Sequence, residues 1–167
     1  APERRQIVDL PVVEPVVTEY EFHALHCRCG AVTRAALPAV APTGGFGPRL
    51  TAFVALATGA YHLSKRGLQA LLADAFHLHV ALGTIPKLER AMSAALEAPV
   101  TEAHAFVQQA PANNADETSW REAGRKAWLW VAATACVVVF CIRRFRDRAS
   151  AQALLGVDFA GRLGSDR

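Results

Sequence analysis

Residues 116–144 read DETSWREAGRKAWLWVAATACVVVFCIRR, and the way the apolar part of this stretch folds decides the architecture. Ala127 to Ile142 contains no charged residue and is bracketed by Arg125-Lys126 and Arg143-Arg144. A membrane-spanning helix needs about 20 apolar residues, so the run is too short for that purpose. It is rich in Val (Val131, Val137, Val138, Val139) and carries Trp128, Trp130 and Thr134, residue types that favour strands. The small residues from Ala133 to Cys136 predict a turn. The expectation is therefore two antiparallel strands, Ala127–Ala133 and Val137–Arg144, and not one helix.

Working outward, Asn114 to Trp120 reads as a strand on the N-terminal side. On the C-terminal side, Arg148 to Leu155 reads as a short helix and Arg162 to Ser165 as a final strand. Three strands, a helix and a strand ending in an acid make the first half of a ribonuclease H-like fold. Asp116 and Glu117 are adjacent on a strand and so point to opposite faces. Trp128 and Trp130 share a face, which reads as packing, and Cys136 and Cys141 in the apolar run read as core.

Residues 49–110 carry helical spacing. Leu50, Phe53, Val54, Ala57 and Tyr61 form one apolar stripe. Ser64 is placed to cap a second helix with Leu68, Leu71, Leu72, Ala75 and Phe76 on one face. A third helix is predicted from near Thr84, with Pro86 tolerated in its first turn, and Pro99 opens a fourth that runs to Gln109. Residues 1–40 hold Pro2, Pro11, Pro15 and Pro38 and alternate with period two from Val16 to Ala24, which predicts an extended segment with a strand.

Composition bounds the function classes. The chain has 167 residues, 52% hydrophobic and 20% charged, which is globular and excludes a disordered tail. Its net charge of +3 is compatible with nucleic-acid contact without demanding it. There is no apolar stretch after a basic start, hence no signal peptide at the N-terminus. Four cysteines without a secretory context are expected to be reduced thiols. Ala1 at one end and Gly164-Ser165-Asp166-Arg167 at the other predict a piece of a longer protein.

Three blocks occur in a fixed order: GFGPRLTAFVALATGAYHLSKRGLQALLADAFHLHVALGTI, DETSWREAGRKAWLWVA and LLGVDFAGRLGSDR. Together they resemble the insertion sequence 66 family of DNA transposases over nearly the whole chain, from about Arg5 to Arg167. The resemblance implies a mixed α/β organisation: an N-terminal extended remnant (1–40), a helical linker or DNA-binding segment (49–110) and a truncated ribonuclease H-like catalytic domain (111–167). It implies DNA cleavage and joining with two Mg²⁺ (or Mn²⁺) ions held by three carboxylates, a chemistry that needs hard oxygen ligands. By position Asp116 resembles the first acid and Asp166 the second, with the third expected beyond Arg167.

Other residues acquire expectations from the same resemblance. Lys87 and Arg90 stand near the start of the second helix of a pair that resembles a helix-turn-helix, where they would reach DNA. Arg143 and Arg144 belong to a basic stretch with Arg146 and Arg148, suited to phosphate contact or to a solvated loop. Related transposases carry a zinc-binding module in the N-terminal region with a cysteine pair upstream of the one seen here. Cys27 and Cys29 are candidate zinc ligands by that resemblance, but they have no such upstream pair, so ordinary thiols are the first expectation for this chain and zinc, here or in a full-length parent, is the alternative. The expected setting is cytoplasmic and nucleoid-associated, with DNA as partner, no membrane, and a homo-oligomer in the intact parent. The first rival reading is a non-catalytic DNA-binding or regulatory fragment of a decayed mobile element, and the second is a small membrane-anchored protein using Ala127 to Ile142.

Overall fold

The computed structural model describes residues 2–39, 41 and 44–165. The fold is mixed α/β, with five helices and two sheets among the described residues. It divides into two compact units, Ala1–Ser93 and Ala94–Arg167.

In the first unit, residues 2–23 have no regular secondary structure. The strand expected from Val16 to Ala24 is corrected here. Only β1 (Ala24–His26) forms, paired antiparallel with β2 (Val32–Arg34). A strand persists only where a partner takes its hydrogen bonds, and β2 is three residues long. Val16 and Val17, on alternate faces, are both exposed, so no buried face holds residues 16–23 in place.

Three helices follow. Pro48 opens α1 (Pro48–Gly59) at its first position, where its missing N–H costs nothing. Ser64 caps α2 (Lys65–Phe76) as expected, its hydroxyl accepting from the Gly67 N–H at 3.0 Å. Next comes α3 (Ile85–Ala95), with Pro86 in its first turn. Val54, Ala57, Leu68, Leu72, Val80 and Ile85 form the core of the unit, with Phe53 and Phe76 packed edge to face at 5.2 Å. The stripe predicted on α2 is narrower than expected. Leu68 and Leu72 are buried and Phe76 packs against them, but Leu71 and Ala75 face solvent.

In the second unit, α4 (Glu97–Gln109) leads into β3 (Ala112–Glu122), β4 (Arg125–Ala133) and β5 (Val138–Arg143). Then come α5 (Arg148–Leu155) and β6 (Arg162–Gly164). The apolar run forms two antiparallel strands turning at 134–137, where Thr134 Oγ1 accepts from the Cys136 and Val137 N–H groups. No helix among the described residues is long and apolar enough to cross a membrane. The sheet order is β5-β4-β3-β6, antiparallel except for β6, which runs parallel to β3 after the α5 crossover.

Both helices of this unit lie on one face of the sheet. Val107 of α4 and Leu154 and Leu155 of α5 bury Trp130, Ala132 and Val139. Burying a side chain of this kind stabilises by about 1.5–3 kcal/mol. The His104 ring donates to the Leu154 carbonyl at 2.7 Å, joining α4 to α5. Cys141 packs against this core, but Cys136 is exposed in the turn, which corrects its expected burial. At the tip of a β-turn a side chain leaves the sheet, whatever the hydropathy of its neighbours.

Candidate functional site

Strand alternation and register sort the residues of the second unit between two faces. Asn113, Ala115 and Glu117 of β3 share the helix-covered face with Trp128, Trp130 and Ala132 of β4. Asn114, Asp116, Thr118 and Trp120 lie on the other face, beside Leu129 and Val131 of β4 and Val138, Phe140 and Ile142 of β5. This second face stays open: Asp116 is exposed and Phe140 is 65% exposed.

Asp116 sits mid-strand in an inner strand of the sheet. Its Oδ1 accepts from the Glu117 N–H at 2.8 Å, and it makes no ion pair among the described residues. Lone pairs on an exposed carboxylate without a cation suit a hard divalent ion. The described residues contain no group of three His, Cys, Asp or Glu able to hold a metal. Asp116 by itself makes no closed metal site among the described residues. Asp166 lies outside the described residues. β3 and β6 meet in the register Ala112 to Arg162, Asn113 to Leu163 and Asn114 to Gly164. Asn114 shares the face of Asp116 and lies directly against Gly164.

Glu117 has the opposite fate. Its Oε1 accepts from Nε and Nη2 of Arg146, both at 2.5 Å, and its side chain is largely buried. The Arg146 guanidinium also lies 5.3 Å from the centre of the Trp128 ring, as does Nζ of Lys126. Nη1 of Arg144 donates to the Lys126 carbonyl at 2.6 Å. The sequence alone puts Glu117 on the face opposite Asp116 and marks Trp128 as packing, and does not foresee this cluster. Face alternation could have put Glu117 beside Trp128, but nothing in the sequence marks Arg146, 29 positions away, as their partner.

In the first unit, Lys87 and Arg90 are exposed on α3. The turn between α2 and α3 is pinned by Gln69, whose Nε2 donates to the Val80 carbonyl at 2.8 Å. Lys65 at the start of α2 pairs with Glu89 of α3 at 3.0 Å. Burial alone would raise the Glu89 carboxyl, but hydrogen bonds from Lys65 and Thr58 hold it below the usual range.

Cys27 and Cys29 are exposed thiols at the tip of the β1–β2 hairpin. The Cys29 N–H points to Cys27 Sγ at 3.5 Å, and the bond to the Cys27 side chain lowers the Cys29 pKa. With no third His, Cys, Asp or Glu grouped at a metal-holding distance among the described residues, these two thiols do not make a zinc site by themselves.

A protein-family model, the Transposase IS66 family, matches residues 43–167, most of the chain. The chain belongs to the IS66 transposase family. None of the curated proteins and none of the solved structures matches it. IS66 membership carries transposition as function and DNA as partner, and this group of transposases generally uses divalent metals. The match takes in all of α1 to α5 and the four-stranded sheet, and it leaves out the β1–β2 hairpin with its two thiols.

Proposed function

We propose that this IS66 chain contributes Asp116 and Asp166 to the metal-binding centre of a DNA-cleaving and DNA-joining enzyme of ribonuclease H-like fold. The observation that carries the reading is the parallel register of β3 and β6, in which Ala112, Asn113 and Asn114 each stand opposite the residue fifty positions later. Asp116 and Asp166 each follow a member of the last paired couple, Asn114 and Gly164, by two residues in the sequence. The order of three antiparallel strands, a crossover helix and a parallel fourth strand supports the same fold.

In this reading the two carboxylates bind Mg²⁺ or Mn²⁺. When bound, the ions would help activate the attacking oxygen and offset charge on the phosphodiester. Asp116 is held in place by the hydrogen bond from the Glu117 N–H and by its position in an inner strand. Lys87 and Arg90 on α3, with Arg143 at the end of β5 and Arg144 just after it, supply DNA contacts. The reading carries a cytoplasmic, nucleoid-associated setting with it.

The chemistry needs a third carboxylate, which the resemblance puts on a later helix beyond Arg167. Glu117 is committed to Arg146 and does not face Asp116's side of the sheet. The 167-residue chain alone is therefore expected neither to cleave nor to join DNA.

Mn²⁺ titration followed by amide NMR line broadening tests the centre. Selective broadening around Asn114, Asp116 and Gly164, lost in Asp116→Asn, is expected. Broadening that ignores this substitution would remove Asp116 from the reading. Metal-dependent cleavage by the chain alone, abolished by Asp116→Ala, would mean that another acid, Asp158 being exposed in the same unit, completes the set.

A further inference from the structure

The end of the sheet around the β3–β4 hairpin holds the chain's positive charge. Residues 117–148 contain seven Arg and Lys against Glu117, Glu122 and Asp147, a net +4, so the remaining residues carry −1 of the chain's +3. Two of these acids are already committed. Glu117 binds Arg146, and Asp147 caps α5 by accepting from the Ser150 N–H at 2.8 Å.

The register concentrates the rest. Arg121 stands directly opposite Lys126, and Arg143 directly opposite Trp128. Alternation puts Arg121, Lys126, Trp128 and Arg143 on one face, at the end of the sheet beyond the buried Trp130. Among the described residues, no carboxylate lies within 4.0 Å of Arg121, Lys126, Arg143 or Arg144. Like charges directly opposite one another on a sheet destabilise it. Packing holds two of these side chains in position all the same: Lys126 against the Trp128 ring and Arg144 on the Lys126 carbonyl. Asp147 feels the charge of Arg143 but is engaged at the α5 cap, and a row of cations without a paired carboxylate is complementary to a polyanion.

We propose that this row, Arg121, Lys126 and Arg143, is a binding surface for the phosphate backbone of duplex DNA. It lies on the opposite face of the sheet from Asp116. The duplex gripped there is consequently not the segment presented to that carboxylate, but a flanking or second one. Contacts of this kind position DNA without reading its sequence. The proposal rests on the DNA-handling reading above and adds a second surface to it.

The test is fluorescence anisotropy of the 167-residue chain with a 20-base-pair duplex of arbitrary sequence across a KCl series. Arg121→Gln with Arg143→Gln should weaken binding roughly ten-fold at 0.1 M salt and flatten the slope of log K against log salt by about 2. The same double variant should melt at the same temperature or higher, because it removes repulsion and leaves Lys126 on Trp128. Arg121→Lys with Arg143→Lys should keep both affinity and slope within about two-fold, since a phosphate accepts either cation. Wild-type affinity and slope in the double Gln variant would overturn this surface and leave the DNA-handling reading standing. Loss of binding in the Lys variant, with a lower melting temperature, would make the role structural and overturn it as well. Tighter binding to phosphatidylserine vesicles than to the duplex would assign the row to a lipid surface instead. No binding of the wild-type chain to DNA at any salt would sink the DNA-handling reading itself.

Discussion

Glu117 and Arg146 tie the middle of β3 to the connection between β5 and α5, with one carboxylate oxygen taking two guanidinium N–H groups at 2.5 Å. The pair sits on the face of the sheet opposite Asp116, and the Glu117 backbone N–H is the one that holds Asp116 Oδ1. A charge-assisted, two-pronged contact is stronger than an exposed ion pair, but Arg146 is 62% exposed and water offsets much of it. Glu117→Gln and Arg146→Gln are each expected to cost about 1 kcal/mol in urea unfolding. A double-mutant cycle should show that the two losses do not add.

The β3–β4 hairpin turns through Ala123 and Gly124, both with positive φ, at 47° and 77°. Glycine adopts this backbone freely, whereas alanine is strained there, and asparagine tolerates it far better. Ala123→Asn should stabilise the protein by about 0.5–1 kcal/mol, because the conformational cost falls and no contact is lost. Thermal melting checks it, and an unchanged or lower midpoint would argue against strain at this turn.

Asp147 caps α5, and the hydrogen bonds from the Ser150 side chain and backbone hold its carboxyl below the usual aspartate range. A pKa depressed in the folded state contributes stability that is present above the unfolded value, about 3.9, and lost as pH falls through the folded one. Asp147→Ala should therefore lower the melting temperature at pH 7. The difference between variant and parent should shrink once the pH drops below about 3.9, and a constant difference down to strongly acid pH would contradict the cap.

Gly161 meets the Ala110 carbonyl and the Phe159 ring so closely that a Cβ would stand 2.6 Å from each. One of those neighbours is backbone and cannot turn away, unlike the Asn114 amide that faces Gly164. Gly161→Ala is expected to destabilise by about 1–3 kcal/mol, the usual range for overpacking. Gly161 immediately precedes β6, so the loss should show first as faster amide exchange at Arg162–Gly164. Exchange unchanged there would mean the close approach relaxes at no cost.

Much of the second unit was legible in the residues themselves. The charge-free run from Ala127 to Ile142, broken by small residues, specified two strands because valines and tryptophans suit a pleated, half-buried surface. The helix at Arg148–Leu155, the strand at Arg162–Gly164 and the Ser64 cap all follow from local pattern and local hydrogen bonding. The opposite orientations of Asp116 and Glu117 follow from the period of two alone.

What local pattern could not supply was partnership. Val16–His23 alternates as a strand should, but it stays irregular because no neighbouring strand pairs with it. Cys136 has apolar neighbours and is exposed because the turn puts it outside the sheet. The union of Glu117 with Arg146 and Trp128, the row of Arg121, Lys126 and Arg143, and the fifty-residue register of β3 with β6 all join residues distant in the chain. From α1 onward the sequence by itself determined which segments are helix and strand, and which side chains alternate on each strand. Tertiary structure alone decided which charges meet, because those contacts depend on register and crossover geometry that no local propensity encodes.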